Sequence, residues 1–131
     1  MHLTKMTDYS LRLLMYLAAR KSDDLCSIAE VSNVQQLSEA HLMKITHQLS
    51  LAGWLTTIRG KGGGIKLGKP PNKIKIGDVV KSIEPDFHIV ECFAGPTPCK
   101  FSKKCKLAGV IDGALHNFVK HLNQYTLADI T

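Results

Sequence analysis

Acidic side chains are scarce in this sequence of 131 residues: 11 aspartates and glutamates stand against 17 lysines and arginines. The resulting formal net charge of +6 favours an anionic partner. The scarcity is greatest from Arg59 to Lys75, a segment with six basic residues and no acidic one. A run of charge usually marks only a solvated face, so its meaning depends on the element that carries it.

Long apolar stretches are missing as well. No run approaches the roughly 18 consecutive apolar residues that indicate a membrane-spanning helix, and Met1 to Lys5 hold no apolar signal segment. We therefore expect a cytoplasmic protein without a membrane partner, whose thiols stay reduced. A chain of this length forms one domain, or one domain with an appended oligomerisation element. Its six histidines are dispersed and no paired carboxylates or Ser/His/Asp arrangement are present, so we do not expect an enzyme.

Cysteine is also rare, yet three of the four cysteines are crowded together. Cys92, Cys99 and Cys105 lie within fourteen residues, on a segment that Pro96 and Pro98 keep from forming a regular helix or a central strand. Positive charge surrounds the second and third cysteines and would offset the negative charge of thiolates bound to a metal. The lysines that supply it are Lys100, Lys103, Lys104 and Lys106. The crowding predicts a metal-binding loop.

The cysteine spacing, six residues and then five, lacks the Cys-x-x-Cys pair that is typical of structural zinc sites. Wider loops suit an iron–sulfur cluster, whose usual ligands are cysteine thiolates. A zinc site and a redox-active thiol pair without metal remain alternatives. Ordinary buried cysteines and a disulfide framework fit the pattern less well. Cys26 stands apart from the other three, and we interpret it as structural.

Residues 4–20 are predicted to form a helix with one apolar side. Asp8 and Arg12 share a different face of this helix, one turn apart. The ordinary interpretation of such a pair is a surface salt bridge. However, three thiolates would leave an iron–sulfur cluster one ligand short, so the Asp8 carboxylate is retained as a candidate.

Two short helices follow. Ser27 and Glu30 have the spacing of a capping box, which opens a helix that ends near Asn33. Ser38 is a good N-cap for the next helix, and Gly53 is expected to terminate it. Two short helices joined by a tight connection, the second amphipathic, indicate a helix-turn-helix.

A basic, glycine-rich hairpin comes next. Two strands, at residues 55–58 and 65–68, enclose the tip Arg59-Gly-Lys-Gly-Gly-Gly64. The glycines join two strands and no Gly-Lys-Ser/Thr follows, which excludes a nucleotide-binding loop. The alternating positions of the strands are Thr56 and Ile58, then Ile65 and Leu67. A basic hairpin directly after a helix-turn-helix is typical of the wing of a winged helix.

A short helix is predicted around residues 76–83, stopped by Pro85, and the longest apolar stripe of the chain follows the cysteine loop. This stripe exceeds what a winged-helix core can cover, so we expect a twofold helix–helix dimer seam instead of core packing. It consists of Leu107, Val110, Ile111, Ala114, Leu115, Phe118 and Leu122. The expected fold is mainly α with a small β-hairpin. Its parts are a winged helix-turn-helix DNA-binding domain at 1–85, a cysteine loop at 86–106, and a dimerisation helix and tail at 107–131.

Candidate DNA-binding residues follow from this architecture. The second helix of a helix-turn-helix enters the major groove, and a basic wing can probe a narrow minor groove. Free backbone amides at a helix N-terminus can hold a phosphate. These rules select Ser27 and Ser38 at the helix starts, His41, Lys44 and His47 on the second helix, and Arg59, Gly60 and Lys61 on the wing.

Four features of the chain belong together: Leu3-Thr-Lys-Met-Thr-Asp-Tyr-Ser-Leu-Arg-Leu-Leu-Met-Tyr-Leu17, Ser38-Glu-Ala-His-Leu-Met-Lys-Ile45, the wing tip, and the cysteine triad. With them, nearly the whole chain resembles the winged-helix iron–sulfur transcription regulators, the family that includes IscR and NsrR. The resemblance implies a homodimeric repressor that binds a palindromic operator in double-stranded DNA. It also implies an iron–sulfur cluster on Cys92, Cys99 and Cys105, with 4Fe–4S favoured and 2Fe–2S possible.

Within this family the chain is most similar to the NsrR branch, whose members respond to nitric oxide and lose operator affinity when it destroys the cluster. In that branch an aspartate on the first helix completes the cluster from the partner subunit, and Asp8 occupies the matching place. Arg12 would then lie beside the cluster. The IscR branch instead uses a histidine shortly after its third cysteine, where this chain has residues 107–109, Leu-Ala-Gly. An IscR-like iron or redox sensor is the alternative.

Overall fold

In the computed structural model, which describes residues 1–20, 22–101 and 104–131, five α-helices and one two-stranded hairpin are found within those residues. Short 3-10 turns lie at Pro71–Lys73, Glu91–Phe93 and Leu127–Ile130. The predicted fold, mainly α with a small β-hairpin, is confirmed. The elements in chain order are α1 (Lys5–Ala19), α2 (Ile28–Gln35), α3 (Glu39–Leu51), β1 (Leu55–Ile58), β2 (Gly64–Leu67), α4 (Ile76–Ile83) and α5 (Lys106–Leu122).

Hydroxyl side chains begin the first three helices. The Thr4, Ser27 and Ser38 side chains each accept a hydrogen bond from the backbone N–H three residues ahead, at 3.3, 3.1 and 3.2 Å. Such caps satisfy amides that have no partner within the helix. The predicted caps at Ser27 and Ser38 are therefore confirmed, and α2 extends two residues beyond Asn33 to Gln35.

The second half of the predicted capping box is wrong. Glu30 does not reach back to the backbone of Ser27; its carboxylate accepts a hydrogen bond from the Tyr16 hydroxyl at 2.6 Å. Arg20 also lies 3.7 Å from the same carboxylate oxygen. The fold brings a phenol and a guanidinium to this carboxylate, and together they occupy it in place of the backbone amide.

The apolar core lies between α1, α3, α4 and the base of the hairpin. Its fully buried members come from every one of these elements. The first four helices and the hairpin therefore pack as one unit, which we call the head. Leu127, near the C-terminus, also belongs to this core, because the segment after α5 returns to residues 74–76. The larger buried side chains are Leu13, Leu14, Val31, Leu42, Ile45, Leu49, Ile65, Ile74, Val79 and Leu127.

The hairpin has one inward face. Leu55 pairs with Leu67 and Thr57 with Ile65, so these four side chains share a face, of which Leu55 and Ile65 are buried. Ile58 lies on the opposite face and is exposed. The predicted strands are confirmed, but their alternation did not identify which face is covered.

Helices α4 and α5 approach each other closely at Gly77. A Cβ atom at this position would lie 2.7 Å from the carbonyl oxygen of Val119 and would overlap the Asn123 side chain. Elsewhere on α5 the apolar stripe is only partly covered. Leu107, Val110 and Phe118 are exposed. Among the described residues, no helix combines the length and the apolar character needed to cross a membrane.

Candidate nucleic-acid interface and cysteine cavity

Helix α3 presents a polar face to solvent. Leu42, Ile45 and Leu49 are buried, which turns the other side of the helix outward, where Met43 and Leu51 are exposed among the polar residues. His41, Lys44 and His47 all lie on this outer side and are exposed. The three candidate residues on α3 therefore share one accessible surface. Ser38 stands at its N-terminal end, where its side chain is engaged as the cap.

The N-terminus of α2 is less favourable for an anion than the sequence alone indicates. Ser27 is exposed and caps the helix, but the Glu30 carboxylate lies in the first turn. The Tyr16 hydrogen bond lowers the pKa of Glu30 and raises the pKa of Tyr16. Glu30 therefore stays ionised, and its charge opposes a phosphate at this position, partly offset by Arg20.

The wing tip carries its cations on a sharply turned backbone. Arg59, Gly60 and Lys61 are exposed. Gly60 and Gly62 adopt φ values of +92° and +78°, which a residue with a Cβ adopts only under strain. Among the described residues, no carboxylate forms a salt bridge with Arg59 or Lys61. Both cations are consequently available to a polyanion.

The second strand of the wing is attached to Cys26, which precedes the N-cap of α2. Cys26 and Ile65 exchange two backbone hydrogen bonds, of 2.9 and 2.8 Å. The Cys26 side chain is fully buried, and this burial raises its pKa to about 11. A thiol so placed is neutral and inaccessible, which supports the structural interpretation of Cys26.

The other three cysteines line one cavity of about 380 Å³. Cys99 is exposed, whereas Cys92 and Cys105 are half-buried. Cys105 is also the residue that immediately precedes α5. The remaining walls of the cavity include Phe93, Pro96 and Ala108. The structure thus brings the three predicted ligands to one place; of the lysines around them, Lys103 lies outside the described residues.

This donor set fits an iron–sulfur cluster by its chemistry, since three thiols without an intervening carboxylate face a common space. In the part of the chain that the structure describes, however, no three His, Cys, Asp or Glu side chains are close enough to hold one metal ion. The loop must therefore draw its sulfur atoms together in order to bind a metal.

Asp8 and Arg12 form the ion pair that their spacing indicates. One Arg12 nitrogen lies 2.8 Å from the carboxylate and a second donates to its other oxygen at 3.2 Å. Both side chains are about half exposed, and Asp8 does not line the cysteine cavity of its own chain. A ligand role for Asp8 requires a second copy of the chain.

Two features near Asp8 were not anticipated. Glu84, which immediately precedes the cysteine loop, accepts hydrogen bonds from the Thr4 backbone at 3.2 Å and from the Thr7 hydroxyl at 2.5 Å. These hydrogen bonds connect the start of α1 to the residues just before the cysteine loop. The Tyr9 ring contacts both Arg12 and His41. The spacing of Tyr9 and Arg12, three residues apart on α1, is compatible with their contact. Nothing in the sequence indicated the role of Glu84 or the contact between Tyr9 and α3.

Comparison with known proteins agrees with this geometry. The family described as "Rrf2: Iron-dependent Transcriptional regulator" matches residues 3–131. The chain is 45% identical over 131 residues to the HTH-type transcriptional regulator NsrR of Bacillus licheniformis, covering 99% of this chain and 92% of that protein. The NsrR of Bacillus subtilis strain 168 is also 45% identical, with 99% of this chain and 90% of the relative covered.

Solved structures give the same fold. CymR (YrzC), the global cysteine regulator of B. subtilis, superposes with a TM-score of 0.72 at 27% identity, covering 99% of this chain and 95% of that chain. T. potens IscR superposes with a TM-score of 0.75 at 23% identity, covering 99% and 85%. The second likeness concerns the fold alone.

Proposed function

Because this chain belongs to the Rrf2 family of transcriptional regulators, we propose that it is a homodimeric DNA-binding repressor that senses nitric oxide through an iron–sulfur cluster. The observation that carries the proposal is the single cavity shared by Cys92, Cys99 and Cys105. It lies on a chain that is 45% identical, over nearly its whole length, to proteins named NsrR. Three thiols without the Cys-x-x-Cys spacing favour a cluster over a structural zinc ion.

The cluster, 4Fe–4S in preference to 2Fe–2S, would be held by the thiolates of Cys92, Cys99 and Cys105. The fourth ligand would be the partner subunit's Asp8. When bound, such a cluster supplies a centre that reacts with nitric oxide. The Asp8 carboxylate is a harder and weaker ligand for iron than a thiolate, so we expect it to be the first ligand to leave. Arg12, which holds Asp8 at 2.8 Å in this structure, would then regain its partner.

DNA would be bound by the two exposed surfaces described above. Helix α3 would enter the major groove and present His41, Lys44 and His47. The wing would place Arg59, Gly60 and Lys61 at the minor groove, where A·T-rich sequence concentrates negative potential. Ser38 would mark the helix end nearest the DNA backbone. Ser27 would do the same for α2, where the charge of Glu30 weakens the hold on a phosphate. Coupling between cluster and DNA of about 1–3 kcal/mol would change operator affinity roughly 5- to 150-fold.

Anaerobic purification provides the decisive experiment. We expect brown protein with an iron–sulfur absorption spectrum, and we expect nitric oxide to bleach this spectrum and release DNA in parallel. Replacing Cys92, Cys99 or Cys105 by alanine should each abolish cluster incorporation, since two thiolates are too few. Cys26→Ala is the matched control and should retain the cluster, because Cys26 is buried at the base of the wing.

Three outcomes would contradict the proposal. Normal iron content in any one of the triad variants would remove that cysteine as a ligand. Colourless protein containing stoichiometric zinc would identify a zinc sensor, and metal-free protein whose DNA affinity follows thiol oxidation would identify a redox sensor. A cluster whose loss tracks iron supply or oxidants but not nitric oxide would indicate the IscR-like alternative.

Mixed dimers test whether Asp8 acts across the interface. One subunit carries Asp8→Ala and the other carries Cys99→Ala. If ligation occurs in trans, the heterodimer keeps one complete site, built from the first subunit's cysteines and the second subunit's Asp8. We expect the spectrum of that surviving cluster to match the wild-type protein. A spectrum equal to that of the Asp8→Ala homodimer would show that the ligand is not delivered by the partner.

A further inference from the structure

A continuous row of side chains joins Asp8 to the DNA-reading helix. Arg12 pairs with the Asp8 carboxylate, and its guanidinium carbon lies 5.5 Å from the centre of the Tyr9 ring. The Tyr9 ring in turn meets the His41 ring edge-on, with 5.8 Å between ring centres and 86° between their planes. Both separations fall within the ranges of cation–π and T-shaped aromatic contacts. Two helices far apart in sequence are thereby connected at their surface.

These contacts are not part of the core packing between α1 and α3. The core is built from fully buried aliphatic side chains such as Leu13, Leu42 and Ile45. Arg12 and His41, by contrast, are exposed. Tyr9, between them, is partly buried and packs against this core. Because solvent competes for exposed groups, the two exposed ends of the row can rearrange at small cost without disturbing the fold.

The backbone around His41 leaves only its ring to be oriented. The His41 N–H donates to the Ser38 hydroxyl at 3.2 Å, which fixes this residue in the first turn of α3. In the structure, the one aromatic ring that contacts the His41 imidazole among the described residues is Tyr9. Tyr9 is therefore the aromatic neighbour against which this imidazole rests.

We propose that Tyr9 is a positioning residue for DNA reading: its ring sets the orientation of His41, and it does so differently when Arg12 is paired with Asp8 than when Asp8 has withdrawn. With Asp8 engaged elsewhere, the Arg12 guanidinium loses its anchor and no longer stays over the Tyr9 ring. A change in the pairing of Asp8 then alters the orientation of the His41 ring on α3. This link to cluster ligation rests on the proposed function, whereas the contacts themselves do not.

A double-mutant cycle in anaerobically purified protein, the form that the proposed function expects to bind DNA, tests the first half of the proposal. The probe is a duplex that the wild-type protein selects from a random-sequence pool, with binding measured by fluorescence anisotropy at low salt. Tyr9→Leu should weaken binding about two- to tenfold, the worth of one aromatic contact. In a His41→Ala background it should cause no further loss. Tyr9→Phe should bind as the wild type does, because the ring is retained.

His47→Ala is the matched control background, since His47 is exposed on the same helix. There, Tyr9→Leu should keep its full effect. Equal effects of Tyr9→Leu in the His41→Ala and His47→Ala backgrounds would overturn the proposal, because Tyr9 would then act through α1 packing alone. A loss in Tyr9→Phe equal to that in Tyr9→Leu would overturn it as well.

Nuclear magnetic resonance tests the link to Asp8 without DNA. In cluster-free protein, the His41 ring-proton signal is identified by its disappearance in His41→Ala. Asp8→Asn removes the ion pair and should shift this signal in wild-type protein but not in the Tyr9→Leu variant. A shift of equal size in both would show that Asp8 does not act through Tyr9. The resonance measurement needs no cluster, and the double-mutant cycle needs only protein that binds DNA, so failure to find iron would sink the proposed function and leave this result standing.

Discussion

The four thiols of this chain differ more in their surroundings than in their chemistry. Cys26 is fully buried with a pKa raised to about 11, whereas Cys99 is exposed. At pH 8, roughly one Cys26 in a thousand is a thiolate, which is the reactive form. In reduced, folded, cluster-free protein we expect iodoacetamide to modify Cys92, Cys99 and Cys105 and to spare Cys26. Mass spectrometry of the digested protein measures this.

Protein unfolded in urea provides the control for that measurement, because all four thiols should then react. Raising the pH of the folded protein should accelerate labelling of Cys26 only as the pH approaches 11. Modification of Cys26 at pH 8 as rapidly as Cys99 would contradict both its burial and its structural role.

The wing-tip cations should contribute to DNA binding in different ways. A cation that contacts one phosphate changes the log–log salt slope of affinity by about 0.9, so Lys61→Ala should weaken binding to all sequences alike and flatten this slope. Arg59→Ala should cost more on A·T-rich flanks than on G·C-rich flanks, since its target is the narrow groove. Titrations of both duplexes at several salt concentrations separate the two effects. Equal losses of Arg59→Ala on both flanks would remove its minor-groove role.

Individual residues were predictable where their partners are local. The caps at Ser27 and Ser38 bind amides three residues ahead, and sequence spacing alone identifies them. Glu30 was assigned to the wrong partner because Tyr16 lies on another helix. Glu84, 80 residues from Thr4, carries no local signal at all. Hydrogen-bond partners within a few residues can be predicted from the sequence. Partners that the fold brings in from another helix cannot, and they can replace the local ones.

At the scale of elements, the crossing of α4 and α5 depends on one missing side chain. Gly77→Ala would place a methyl group 2.7 Å from the Val119 carbonyl and against Asn123. Because backbone must move to relieve this, we expect a loss of about 1–3 kcal/mol in the free energy of unfolding, measured in urea. The matched control is Gly109→Ala within α5, where a Cβ meets nothing within 4 Å. That change should be neutral or stabilising, by up to about 1 kcal/mol.

One result would contradict this explanation of the helix crossing. If Gly77→Ala and Gly109→Ala had equal effects, the helix propensity of alanine would explain both, and the close approach of the two helices would have no energetic weight.

Strands and helices were predicted well as elements and less well as faces. The hairpin at 55–58 and 65–68 was recognised from alternation, yet alternation alone cannot say which side meets the core. The packing of the helices decides it, since α1 and α3 contact the strands and share the core with Leu55 and Ile65. Ile58 consequently faces solvent, although its residue type favours burial.

The whole molecule has an apolar helix face that its own chain does not cover. Leu107, Val110 and Phe118 on α5 are 62%, 68% and 41% exposed, more than a surface helix normally leaves open. If a second copy covers this stripe, Val110→Glu should convert the dimer to monomer. Sedimentation velocity measures the change, and operator affinity should fall with it. His116→Glu, an exposed change on the opposite side of the same helix, should leave the dimer intact.

An unchanged sedimentation coefficient for Val110→Glu would place the dimer seam elsewhere.

The sequence predicted this stripe because helical periodicity is strong over five turns. It did not predict that the segment after α5 returns to the head and buries Leu127. Four residues of 3-10 turn leave too short a pattern to show where they pack.

The two hydrogen bonds between Cys26 and Ile65 have a consequence for operator choice. They join the wing to the start of α2, so the groove contacts of one head keep fixed mutual distances. In the proposed dimer, a signal would therefore leave the wing fixed against Cys26. Apart from the His41 ring, what it could change is the angle between the two DNA-binding units. The separation of the two half-sites in base pairs would then help to decide which promoters respond. A duplex carrying a single half-site would show only the part of the response that His41 carries.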